Sequence, residues 1–242
     1  MKQVLTIALR ELSSYFSTWL GYGVIFAALL LDGILFNAFA LGDAPKFSSN
    51  VLADYFYFSS GIGMVSAMLL AMRLIAEEKQ NKSLVLLLSS PVSDRQIIWG
   101  KFFAALSLFT LMNLLSLYLP ALIFIEGKVS VAQIAVGYLG LTLLGAAVLS
   151  ISLFASALAP SQLLAGVTAA GITVVFLLLW MLAVRTDSPF KDVLAYVSIH
   201  NERFRPFTQG ILHSRDVIYY LSTILFFTEW ASRALEERRL KG

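Results

Sequence analysis

The sequence has no cysteine, which excludes disulfides, thiolate metal sites and cysteine nucleophiles. Histidine is almost as scarce. His200 and His213 are the only two, and with one nearby carboxylate, Glu202, they make a weak metal site and read as surface hydrogen-bonding residues. Charged side chains make up 14% of the 242 residues, against about 25% in a soluble domain. A G-x-x-x-x-G-K-[ST] loop is missing, so the chain has no phosphate-cradling turn and no ATPase site of that kind. No G-x-S-G turn occurs, and no serine pairs with Lys or His on facing predicted helices, which removes the usual serine chemistries. No period of about twenty to fifty residues recurs, which argues against a solenoid.

What remains is apolar. A hydrophobic content of 58% and a mean hydropathy of +0.79 place the chain among polytopic membrane proteins. At roughly 20 apolar residues per span, the candidates are 17–41, 52–75, 102–125, 131–158, 162–184 and 216–232. The last has the shortest run, Val217 to Thr228, closed by Glu229 with Trp230 and Arg233 as an interfacial anchor. Residues 1–14 set Val4, Leu5, Ala8 and Leu12 against Lys2, Arg10 and Glu11 at helical spacing, and predict an amphipathic interfacial helix rather than a cleavable leader. The expected fold is therefore one all-α domain over 1–242 with six transmembrane helices and an N-terminal interfacial helix.

Orientation follows the basic residues. With the N-terminus inside, cytoplasmic segments hold eleven of the eighteen Lys and Arg, and five of the other seven fall in the long segment 185–215. Both termini are expected in the cytoplasm. The net charge of +3 marks contact with membrane lipid and needs no nucleic acid. Only 72–101 and 185–215 are long enough outside the spans to have structure of their own; Val193, Leu194, Tyr196 and Val197 predict a short helix in the second.

Within the first, MRLIAEEKQNKSLVLLLSSPVSDRQIIWGK is too charged for hydrocarbon, yet Leu84–Leu88 is too apolar for a solvated loop, and a Ser-Pro pair ends it. Such a segment predicts a cytoplasmic helix that docks on another protein. The stretch resembles the permeases of the ABC-2 transporter superfamily at Glu77, Glu78, Lys79, Ser83, Leu84, Leu86, Leu87, Leu88, Ser89, Pro91, Val92, Gly100, Lys101 and Phe102. Lys82 stands where glycine is usual and Val85 where glutamate is usual. IALRELSSYFSTWLGYGV, the tract Gly137–Ala165 and GILHSRDVIYYLS look like the gliding-motility-associated, GldF-like subgroup.

The resemblance implies a six-span permease of the ABC-2, or type V exporter, kind in a bacterial inner membrane. It implies a homodimer served by a separate ABC ATPase subunit, which holds the ATP and Mg while this chain binds no cofactor, and a GldG-like accessory protein with an external domain. The ATPase-coupling segment would be 76–92, with Glu77, Glu78, Lys79, Ser83, Leu84, Leu87, Leu88 and Pro91. An assembly or mechanical-signalling subunit that moves no solute shares these features. An intramembrane protease of the prenyl-protein type is a distant alternative, since Lys82 holds the place of its arginine and the histidines fall outside the spans.

Asp32 lies deep in span one, where a charge costs about 2.5–3.5 kcal/mol, and is a candidate for the translocation path. Gly61 and Gly63 on span two and Gly137, Gly140 and Gly145 on span four mark close helix or dimer packing. The aromatic clusters Tyr55–Phe58 and Tyr219–Tyr220 read as interfacial belts.

Overall fold

Backbone polar groups in hydrocarbon must be satisfied within the chain, and helix is the regular element among the described residues. The structure, a computed structural model, describes residues 2–41, 46–84, 89, 92–126 and 128–241. Helix α1 (Lys2–Ser17) leads into α2 (Trp19–Leu35), which ends in a π-helical turn over Phe36–Leu41. Then come α3 (Ser48–Ala71), α4 (Arg73–Gln80), α5 (Asp94–Leu115), α6 (Tyr118–Glu126), α7 (Val131–Leu158) and α8 (Gln162–Arg185). Two short helices, α9 (Phe190–Val197) and α10 (Asn201–Thr208), precede the long α11 (Ser214–Lys241).

Among the described residues, five segments are long and apolar enough to cross a membrane: Gly21–Leu41, Ser48–Gln80, Asp94–Phe124, Val131–Leu158 and Gln162–Arg185. The sixth expected span, 216–232, lies inside α11 and is not among them, because Asp216, Glu229 and the basic tail dilute its hydropathy. It nevertheless packs along α7, as α3 does on another side. Helix α7 is the axis of the bundle, buried along most of its length. Its glycines admit aromatic rings: a Cβ at Gly137 would overlap Phe56, one at Gly145 would overlap Phe109, and Gly140 lies under Phe207. Gly63 also meets Phe109, whereas Gly61 faces open space within this chain.

Span three is broken. Pro120 has no N–H and would clash with the carbonyl four residues back, Ser116. Accordingly α5 stops at Leu115 and α6 restarts at Tyr118. The freed Ser116 carbonyl accepts instead from Leu119 N–H at 3.1 Å, while the Ser116 hydroxyl donates to the Asn113 carbonyl at 2.9 Å and meets Tyr138 Oη at 3.0 Å.

Lys82 has φ of +57°, the left-handed conformation that favours glycine. It closes α4 in a Schellman motif, with Lys82 N–H on the Lys79 carbonyl at 3.1 Å and Ser83 N–H on the Glu78 carbonyl at 2.9 Å. This explains why glycine is usual at that place. Lys82→Gly is expected to stabilise the chain by about 0.5–1 kcal/mol, the strain relieved less the extra chain entropy of glycine. A lower melting temperature for that variant would show that the lysine side chain contributes more than its backbone costs.

At the other end, Arg203 and Asp216 form an ion pair at 2.8 Å, both buried. Arg203 also lies over the Tyr196 and Tyr219 rings at 4.2 and 4.9 Å. Tyr219 and Tyr220 donate to the Val197 and Ile199 carbonyls at 2.6 and 2.9 Å, so these tyrosines fasten α9 and α10 to α11 instead of forming an interfacial belt. Tyr55 and Phe56 are likewise core residues; Tyr57 is the exposed member of its cluster.

Candidate functional site

Helix α5 starts eight residues before its apolar run. Ser93 accepts from Gln96 N–H at 3.4 Å while the Gln96 side chain accepts from Ser93 N–H at 3.2 Å, a capping box that fixes the start at Asp94. This extra length carries Gly100 and Lys101. A Cβ on Gly100 would lie 2.7 Å from Ile7, so glycine is what lets α1 lie against α5. Lys101, 1% exposed, then reaches both neighbouring helices: its Nζ donates to Glu11 Oε1 on α1 at 2.8 Å and to Glu78 Oε1 on α4 at 2.9 Å.

Arg10 flanks the same pair, 3.0 Å from Glu11 and 3.7 Å from Glu78. Burial raises the Glu11 carboxyl, but the Lys101 ammonium and then Arg10 lower it further, and the balance leaves it below its ordinary value. Its stabilising contribution is therefore complete above the unfolded value near 4.5 and is lost as pH falls through the folded one. Glu78 Oε2 has no hydrogen-bond partner among the described residues.

Lys79 points the other way. Its ammonium donates to the carbonyls of Ser156 at 3.2 Å, Ala159 at 3.0 Å and Ala157, the unpaired end of α7, where a cation also opposes the helix dipole. Arg238 of α11 adds a hydrogen bond to the Leu158 carbonyl at 3.0 Å.

Ser156 explains the break between α3 and α4. Its hydroxyl accepts from Ile75 N–H at 3.0 Å and Ala76 N–H at 2.9 Å and donates to the Met72 carbonyl at 2.8 Å. A side chain inserted into the helical ladder in this way separates two helical segments. Tyr15 of α1 donates to the Leu70 carbonyl at 2.7 Å, and Arg73 sits 5.0 Å over the Tyr15 ring while pairing with Glu77 at 2.8 Å.

A cleft of about 640 Å³ opens between α1 and α4, with Arg10, Ser14, Arg73, Glu77, Asn81 and Val92 on its walls. Charged side chains (Arg10, Glu11, Arg73, Glu77, Glu78 and Lys101) alternate on its walls with apolar ones (Ile7, Leu74 and Val92).

The residues expected in the coupling segment are divided by this geometry. Glu77 and Glu78 both line the cleft, Glu78 also bonding Lys101 of α5, while Lys79 is spent on α7. Ser83 closes the Schellman turn, and Leu84, 8% exposed, is buried in the chain's own core. Leu87, Leu88 and Pro91 lie outside the described residues. Sequence reasoning missed Glu11, Lys101 and Ser156 as partners. The Ser93-Asp94-Arg95-Gln96 capping box was the readable signal that Lys101 is helical.

Asp32, 6% exposed, accepts from Ser59 of α3 at 2.7 Å and so faces the interior of its own bundle. Tyr55, Ser116 and Tyr138 form a triangle of hydroxyls at 3.0–3.1 Å nearby in the same bundle. His200 is not a surface residue: it is 7% exposed and meets Ser60 Oγ at 2.7 Å through Nε2. Burial lowers its pKa, with a smaller opposing effect from Asn201. Among the described residues no group of three or more His, Cys, Asp or Glu is placed to hold a metal.

Apolar helices with a charged cluster at one end define a multi-pass membrane protein whose polar chemistry lies at the end of the bundle. A family model, ABC-2 family transporter protein, matches residues 35–236, most of the chain, and the chain belongs to that family. It is thus a membrane permease component, of a kind that lacks the ATPase site. No protein with a curated description matches it.

Proposed function

We propose that the chain is the permease subunit of an ATP-driven exporter of the GldF-like kind, and that a separate ABC ATPase seats at the cleft between α1 and α4. The observation that carries this reading is the Lys101 clamp, which ties α1, α4 and α5 together beside that cleft. A push on α4 or on the segment that follows it is shared at once with α1 and α5 through Lys101, and with α7 through Lys79 and Ser156. Glu78, Lys79 and Leu84 act as positioning groups; Glu77, Arg73 and Asn81 are the ones a partner touches. The excess of Lys and Arg at this end of the bundle favours placing it, with both termini, on the cytoplasmic side of a bacterial inner membrane. Two copies would form the path, with a GldG-like protein against 185–215.

The absence of cysteine makes the test clean. Asn81→Cys is exposed in the cleft, and Tyr196→Cys is exposed at the opposite end. With the ATPase co-expressed, a thiol cross-linker in membranes should join Asn81→Cys to it, with a yield that changes on adding ATP and vanadate, and leave Tyr196→Cys unjoined. Equal yields at both positions, or no product at Asn81→Cys, would sink the docking site.

A further inference from the structure

A second cavity, of about 410 Å³, lies at the far end of α3 from the charged cleft, among α3, α8 and α10. Its volume is within the range of small-molecule sites. Side-chain donors of Asn50, Tyr57, Trp180, Asn201, Arg205 and Gln209 line it and have no partner among the described residues. Of the acceptors, Asp54 Oδ2 is paired with Lys46 at 2.8 Å and Asn201 Oδ1 faces His200 Nδ1 at 3.4 Å, while the amide oxygens of Asn50 and Gln209 are open beside the donor-only indole of Trp180 and guanidinium of Arg205. His200, its pKa lowered, adds no charge at neutral pH, and Arg205 is left as the uncompensated cation of the wall.

The apolar part of the wall is aromatic and fixed. His200 stacks on Phe204 with centroids 5.4 Å apart, the Tyr57 ring meets His200 edge-on at 5.5 Å, and Ser60 pins the imidazole from behind. Trp180 of α8 joins them across the cavity. Aromatic faces combined with unspent donors and one arginine suit a ligand that is rich in oxygen acceptors, has a flat apolar ring face and carries a negative charge.

We infer that this cavity is a binding site for an acidic carbohydrate, a sugar ring bearing a carboxylate that Arg205 receives while Trp180 and Tyr57 cover the ring. The inference goes beyond the transport reading and does not rest on the ATPase partner, because it concerns this chain alone.

The test is calorimetric titration of the purified chain in nanodiscs with glucuronate and, separately, glucose. Glucuronate should saturate below ~10 mM and bind about tenfold tighter than glucose. Arg205→Gln, at an exposed position, should bring the two sugars to equal affinity. Trp180→Ala should lose both, with the melting temperature of each variant recorded alongside. Failure of either sugar to saturate, equal affinities in the unaltered chain, or an Arg205→Gln variant that still prefers glucuronate would each overturn the assignment.

Discussion

Replacing Lys101 with methionine is expected to cost about 2–4 kcal/mol, because it leaves the partly buried Glu11 and Glu78 with only the exposed Arg10 to offset them. The methionine fills much of the same volume, so the loss is electrostatic rather than a cavity. In a chain of this length that is a fall of order ten degrees in the melting midpoint of the detergent-purified protein. Adding Glu11→Gln and Glu78→Gln to the same variant should restore most of it, since the stranded charges are then gone. If the triple variant melts no higher than Lys101→Met alone, the cost comes from packing and the clamp is not what joins the three helices.

The second large effect is at Ser156. Its alanine variant removes an acceptor from two buried backbone N–H groups, Ile75 and Ala76, and a donor from the Met72 carbonyl. An unsatisfied buried group costs about 1–3 kcal/mol, and partial straightening of α3 into α4 would recover some, so a loss of about 2–4 kcal/mol is expected. Amide hydrogen exchange reads this locally: the Ile75 and Ala76 amides should lose protection while amides near Phe109 keep theirs. Unchanged protection at Ile75 and Ala76 would mean that the break between α3 and α4 does not depend on this hydroxyl.

Hydropathy alone located the bundle. The spans at 131–158 and 162–184 coincide with α7 and α8 almost to the residue, because each is a single apolar run bounded by Ser130 and the Ala159–Ser161 turn. Ends governed by polar chemistry were harder. Span three was placed from residue 102, yet its helix begins at Asp94, since a capping box outweighs the charges of Asp94, Arg95 and Lys101. The packing glycines at 137, 140 and 145 were legible from residue size, and the rings they admit were not, because Phe56, Phe109 and Phe207 come from three different helices.

The site was half legible. Glu77, Glu78 and Lys79 stood out as a charged run, but nothing in a linear pattern shows that adjacent side chains on one turn point to different partners, Glu78 toward α5 and Lys79 toward α7. Lys101 looked like an ordinary helix-entry lysine; its burial comes from contacts 90 residues away in sequence, with Glu11. Leu84 was expected on an outward apolar face and is instead 8% exposed, part of the chain's own core.

Helix α7 has 28 residues and is about 42 Å long. One tip is gripped by Lys79 and Arg238, and its own Ser156 holds the junction of α3 and α4. Near the other, Gln133 donates to the Thr208 carbonyl at 3.0 Å and to the Ser49 carbonyl at 3.1 Å, and Phe207 rests on Gly140. A rod held at both tips passes strain from one to the other with little bending of its own. Gly145, under Phe109, lies almost midway along it, so the elements held at the two tips are joined through one stiff, centrally packed rod.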